Sequence, residues 1–221
     1  MSQSILLQRK SEGLKLWFEV LKQIAYAEAK GPSPSFDIAD IILAMITIDN
    51  TFIGRKRLAL ALGLGEGAIR TLISRLKESG LLETLASGCR LTSRGLQLNK
   101  EISSDISFFD PPSIIPTSLH LSGLVAKKLG RQVGKGLEER DAAVRAGADG
   151  AMILVVNEGR IIMPGVSDLS VEHPDHYRAL MQTAKPEEED LLVIAWAKEQ
   201  KIAKKAALAV VTWLLERGSR L

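Results

Sequence analysis

Arg55, Lys56, Arg57, Arg70, Arg75 and Lys77 set six cations close together in this 221-residue chain, with Gly67, Thr71 and Ser74 interleaved among the later ones. A guanidinium can bond a guanine edge in bidentate fashion, and hydroxyls can reach base edges or phosphates. Arg55, Lys56, Arg57 and Lys77 are expected to hold phosphates, while Gly67, Arg70, Thr71, Ser74 and Arg75 form the face that reads bases. Arg90, downstream, is expected beside a hairpin tip, where it would enter a minor groove or touch the backbone. Residues 54–100 hold nine Lys and Arg against three Asp and Glu, whereas 105–221 hold fifteen against sixteen. A positive field confined to one segment suits a polyanion, and the partner this chemistry points to is double-stranded DNA.

Other groups point to other chemistry. Gly63-x-Gly65-x-x-Ala68 fits the dinucleotide-binding spacing G-x-G-x-x-G/A, and Glu83 stands where a ribose-binding acid would be sought. That reading needs a strand before Gly63 and further strand–helix units after it. The Leu/Ala run Leu58–Leu62 is poor strand material. Cys89 beside Arg90 raises a redox-sensing thiolate, and His173-x-x-His176 raises a metal site, although Pro174 intervenes. No phosphate-binding loop, serine-hydrolase elbow or zinc-peptidase signature occurs. No catalytic residue, cofactor or metal is expected. Two alternatives stay open: a nucleotide-dependent enzyme using the Gly63 turn, and a winged-helix subunit that binds proteins.

The elements that must position the cations follow from periodicity. Leu14, Trp17, Phe18, Leu21, Ile24 and Ala25 predict a first helix that stops at Gly31-Pro32, and Ile38–Ile46 a second. Counting from Arg55, the fifth residue, Ala59, is small where a second helix would cross, and the ninth, Gly63, can make the turn. Leu58, Leu62, Leu64, Ile69 and Leu72 fill the apolar positions of a helix-turn-helix. Ile69, Leu72, Ile73 and Leu76 then form the inward stripe of the helix 66–79. Leu81–Leu85 and Arg90–Thr92 predict a hairpin around Ala86–Cys89, and a helix over 93–103 closes this half. The order is that of a winged helix-turn-helix domain, assigned to residues 1–104 with an extra N-terminal helix.

Residues 105–116, with three prolines, are expected to be a linker. From 117 to 221 the pattern is strand 119–125, helix 137–146, hairpin 151–156 with 160–163, helix 173–183, strand 191–195 and helix 200–216. The predicted fold class is α+β, this second domain being a two-layer α/β unit with a mainly antiparallel sheet and helices on one face. Asp141 falls between Leu137 and Val144 on the expected apolar stripe. It needs a partner there, either Arg145 in an ion pair or, with Arg140, a small-molecule effector. The acidic run 185–190 is expected to be a solvated start of an element.

The chain has 46% apolar and 25% charged residues, one cysteine and no long uncharged apolar run. No membrane span is expected, the start MSQSILLQRKSEG has no secretory-signal pattern, and a cytoplasmic location follows. IGRKRLALALGLGEGAIRTLISRLKESGLL and ERDAAVRAGADGAMILV with the following MPG resemble an archaeal winged-helix family. Its members join that domain to a C-terminal domain of unknown function with a GAD-like two-layer architecture. The resemblance extends over 33–217, is most specific at GLGEGAIRTL, and implies a transcriptional regulator without assigning an effector or catalytic residue. One such domain reads only a few base pairs, so a homodimer is expected, with 14–25 and 200–216 as candidate interface helices.

Overall fold

The computed structural model describes residues 16–27, 34–115 and 117–219, which divide into two compact units at the junction of Ser104 and Asp105. Leu14, the Gly31-Pro32 stop and Pro116 lie outside the described residues. The chain is mixed α+β, helical in its first unit and built on an antiparallel sheet in its second. Among the described residues no helix is long and apolar enough to cross a membrane.

The first unit runs α1 (Leu16–Ala25), α2 (Ile38–Ile48), α3 (Arg55–Leu62), α4 (Glu66–Glu78), the hairpin β1 (Leu82–Leu85) and β2 (Gly88–Leu91), then α5 (Ser93–Asp105). Helix α2 is buried on nearly every side, so its sequence is apolar almost throughout. It starts at a capping box in which the Asp37 carboxylate accepts from the Asp40 N–H at 3.0 Å and the Asp40 carboxylate accepts from the Asp37 N–H at 3.0 Å. Helix α3 stops at Gly63, whose φ of 70° is the left-handed conformation that glycine adopts without penalty, and its N–H caps the Ala59 carbonyl. Three residues later α4 begins, and Ile69, Leu72, Ile73 and Leu76 face inward as their spacing predicts. The buried face of α1 (Trp17, Phe18, Leu21, Ile24 and Ala25) packs within this unit, against α2 among others.

The second unit is a six-stranded sheet of order β3-β4-β8-β5-β6-β7, with every neighbouring pair antiparallel. Its strands are β3 (Ile106–Phe109), β4 (His120–Ala126), β5 (Gly150–Asn157), β6 (Arg160–Met163), β7 (Ser167–Asp168) and β8 (Leu191–Ala197). Residues 106–109, expected in a linker, are instead an edge strand paired with β4: Ile106, Phe108 and Phe109 supply the apolar and aromatic side chains a strand needs, and the prolines begin only at Pro111. The register sets Leu124, Val193 and Ile153 on one face and Val125, Leu192 and Leu154 on the other. Helices α6 (Leu137–Arg145) and α9 (Gln200–Gly218) cover the first face. The expectation of helices on one face alone is corrected, because α7 (Leu169–Glu172) and α8 (Pro174–Thr183) bury Leu169 and Leu180 against Val125, Leu154, Val156, Ile161, Leu192 and Ile194. Helix α9 packs its apolar side on the sheet, through Ala203, Ala206, Ala207, Val210 and Leu214.

Helix α6 turns the other way from the stripe expected of it. Glu139, Ala142 and Ala143 are buried, while Leu137 and Val144 are 63% and 41% exposed and Asp141 lies in solvent. The ion pair between Asp141 and Arg145 does not form, because an exposed carboxylate needs no partner. Two alanines weigh little on a hydropathy count, yet they let α6 approach the sheet closely. The buried carboxylate is Glu139, 1% exposed, which accepts from the Gly134 N–H at 2.9 Å.

The acidic run 185–190 precedes β8 with Lys185, Glu187 and Glu188 exposed as expected, and it also ties loops together. Asp190 is buried and accepts from the Lys128 N–H at 3.0 Å and the Glu187 N–H at 2.8 Å. Glu188 accepts from the Glu158 and Gly159 N–H groups, at 2.8 and 3.1 Å, in the two-residue turn joining β5 to β6. Those two backbone bonds hold its carboxyl below the ordinary glutamate range. The contact therefore contributes stability above that range and loses it as pH falls through the lowered value. In an acid titration by NMR, the Gly159 amide shift should follow the Glu188 carboxyl, with its midpoint below the ordinary glutamate range; a midpoint within that range would refute the tie.

Two glycines on the sheet accept aromatic rings from the strand alongside. Phe109 lies over Gly123, its pairing partner, and Trp196 lies over Gly150, its own partner. A Cβ at Gly150 would stand 2.3 Å from the Trp196 ring. Gly150→Ala should therefore destabilise the second unit by about 1–3 kcal/mol, read as a lower urea midpoint with Trp196 fluorescence shifted to the red.

Candidate nucleic-acid interface

Gly67, Arg70, Thr71, Ser74 and Lys77 stand exposed on the outer face of α4, where spacing places them. Arg55, Lys56 and Arg57 are exposed in the first turn of α3. That helix begins at Gly54 with no side-chain cap and no acid in its first turn. Three cations at the positive end of a helix dipole oppose helix stability, by about 0.3–1 kcal/mol each. They raise the potential for an incoming anion instead.

An open groove of about 580 Å³ runs between α4 and the hairpin. Arg55, Arg70, Ser74 and Lys77 line one side and Thr84–Cys89 the other, with no acidic residue among the lining. A smaller hollow, of about 140 Å³, lies toward α3 and is lined by Arg55, Lys56, Ala59, Glu66, Ile69 and Arg70. Arg55 and Arg70 border both. The Thr71 hydroxyl donates to the Gly67 carbonyl at 3.1 Å and the Ser74 hydroxyl donates to Glu78 at 2.8 Å. Both protons are engaged within α4, so toward a ligand these oxygens serve first as acceptors.

Two of the residues expected to contact DNA, Arg75 on the reading face and Arg90 near the hairpin tip, do different work. Arg75 is 8% exposed and points inward. Its guanidinium donates to the carbonyls of Ile24, Ala25 and Ala27, at 2.9, 2.6 and 3.1 Å, around the end of α1, and stacks 5.6 Å from the centre of the Phe36 ring. It satisfies carbonyls that the end of a helix leaves open. Arg75 sits one residue from the apolar stripe, and a long side chain there can turn inward when an acceptor waits. Arg90 is not at the hairpin tip, because the turn is only Ala86-Ser87 and β2 already begins at Gly88. It pairs across the strands with Glu83, Nε to carboxylate 2.5 Å, and lies over the Phe52 ring at 5.1 Å. The tip itself carries no cation. What sequence reasoning missed is the neutral wall Thr84, Ala86 and Ser87, since small residues give no chemical signal until the tertiary fold sets them opposite Arg70.

The other candidates resolve on the same geometry. Cys89 lies in β2, buried, with its thiol donating to the Ile53 carbonyl at 3.0 Å. Burial pushes the thiol up from its ordinary value, partly offset by a backbone hydrogen bond, so a redox-sensing thiolate is disfavoured. Backbone pairing of Ile53 with Cys89, 3.0 Å in both directions, ties the hairpin to the start of α3. Leu58–Leu62 belongs to α3, so the Gly63-x-Gly65-x-x-Ala68 spacing joins two helices, and the strand a dinucleotide turn requires is missing there. The His173 and His176 rings stack, centroids 5.3 Å apart, and among the described residues no three ligand-type side chains gather for a metal. Arg140 and Asp141 are both exposed on α6.

This architecture has relatives. Residues 37–97 match the family described as "PH0730-like, N-terminal domain", and residues 120–214 match a domain of unknown function, DUF4443. Among solved structures the chain is similar to hypothetical protein PH0730 from Pyrococcus horikoshii OT3, at 26% identity and a TM-score of 0.64, over 83% of this chain and 94% of that one. No curated protein matches. The chain thus shares its architecture with an archaeal protein.

Removing the inward guanidinium leaves the carbonyls of Ile24, Ala25 and Ala27 without their donor. Arg75→Ala should cost the first unit about 1–3 kcal/mol in urea unfolding, whereas Arg70→Ala, on the exposed face, should stay within roughly 0.5 kcal/mol. Equal losses in the two variants would show that Arg75 is not a structural clamp.

Proposed function

We propose that the first unit is a winged helix-turn-helix that binds double-stranded DNA, and that the protein is a transcriptional regulator. The observation that carries this reading is the acid-free groove in which Arg55, Arg70 and Lys77 face the hairpin. Helix α4 is the recognition helix: Arg70, with Gly67 leaving its first turn open to close approach, meets the base edges, and Thr71 and Ser74 accept hydrogen bonds from bases. Arg55, Lys56, Arg57 and Lys77 hold phosphates on either side of it. The hairpin is the wing, and its neutral tip contributes shape rather than charge. The nucleotide-dependent enzyme loses its support, because Gly63 and Gly65 stand between helices. The short match of α4 to one stretch of major groove calls for two such units on two half-sites, so the working form is a dimer.

Fluorescence anisotropy on fragments from the gene's own upstream region tests the reading. Affinity should fall steeply with salt, and one fragment should bind far more tightly than random DNA. Arg70→Ala should cost about 1–3 kcal/mol on the preferred fragment and relax preference at one base pair. Lys56→Ala should weaken every fragment alike and lower the salt slope by about one. Binding indifferent to both salt and sequence would overturn the proposal.

A further inference from the structure

Helix α6 presents Leu137, Arg140, Asp141 and Val144 along one exposed stripe, at spacings of three and four residues. Leu137 and Val144 are among the exposed large apolar residues, at 63% and 41%, although the opposite side of the same helix is packed to the sheet. The two charges at the centre form no ion pair or side-chain hydrogen bond, and as sequence neighbours they do not face one another. The flanking acid Glu138 is already engaged by Arg217 at 3.0 Å.

The order of the stripe reads apolar, cation, anion, apolar, and it is complementary to itself when reversed. A twofold axis between residues 140 and 141 sets an antiparallel second copy of α6 against the first. Leu137 then meets Val144 of the second copy and Arg140 meets its Asp141, each contact occurring twice. We infer that this stripe is a self-association surface, and that its occupant is a second copy of this chain. Charge complementarity selects that occupant: an interface of this kind uses the same patch on both subunits, and the order of this patch matches apolar to apolar and cation to anion when it is doubled and antiparallel. The stripe is small against the roughly 1,000 Å² of a stable interface, so association depends on protein concentration. It does not depend on whether DNA is the partner of the first unit.

Sedimentation equilibrium of the full chain, without DNA, tests the inference. The wild type should pass from monomer to dimer as concentration rises. Arg140→Asp and Asp141→Arg should each sediment as monomers, since each puts like charges together at the axis, while circular dichroism and thermal midpoint stay unchanged at these exposed positions. Mixing the two variants should restore the dimer, because one brings two anions and the other two cations. In oxidising conditions Leu137→Cys and Val144→Cys should cross-link when mixed. Leu137→Cys alone should not, its two copies standing about 10 Å apart along the helix axis. A wild type that is monomeric throughout, single variants as dimeric as the wild type, or a mixture that stays monomeric would each overturn the inference.

Discussion

A guanidinium taken out of water has to be met by oxygens, and Arg75 is met by the open end of a helix rather than by a carboxylate. Stranding such a charge costs several kcal/mol, so α4 and α1 cannot be moved apart without replacing three hydrogen bonds at once. The arrangement gives α1 a purpose that its own sequence does not reveal. It supplies the negative end of a dipole beneath the helix whose outer face carries Arg70 and Lys77. Helix α2, with its capping box and nearly unbroken apolar surface, packs against α1, α3 and β2 and forms the buried centre of this unit.

With α4 anchored from below, the electrostatics of its upper side follow from what is absent. No acid lines the groove beside it, and the first turn of α3 stacks three cations on a positive helix end. Such a distribution is unfavourable for the isolated protein and favourable once a polyanion arrives. On the hairpin, cation and acid meet at Arg90 and Glu83; the pair lies along the strands and leaves the tip neutral. The backbone pairing of Ile53 with Cys89 holds that hairpin against the start of α3, so the groove has two walls with fixed ends.

The second unit is organised by strand β8, buried along nearly its whole length between β4 and β5. Its neighbours each contribute one glycine on which an aromatic ring rests, Gly123 beneath Phe109 and Gly150 beneath Trp196. The loop before β8 is tied through Asp190 and Glu188 to residues following β4 and to the β5–β6 turn. Within this run, Asp190 and Glu188 are therefore satisfied by backbone N–H groups, while Glu187 and Glu189 pair with Lys127 and Arg131. What remains outward on α6 is a stripe with no use inside the unit.

How much was legible in the sequence differs between elements for physical reasons. The α3–α4 pair was readable because Gly63, Ala59 and the spaced Leu and Ile residues act locally: a left-handed turn and an inward stripe depend on residue type alone. The exposed cations at 55–57, 70 and 77 followed directly from that periodicity. Arg75, one place from the stripe, was not readable, since its acceptors are some 50 residues away. Strand β3 was masked by the prolines that follow it, and becomes a strand only because β4 offers it an edge. The face of α6 was misread because Leu and Val outweigh Ala in hydropathy, whereas the sheet beneath selects small residues that allow close approach. Sequence by itself thus determined most of the elements and the charge of this protein; the edge strand β3, which side of a helix was buried, and which charge was spent inside, only the tertiary structure decided, because those choices rest on partners far away along the chain.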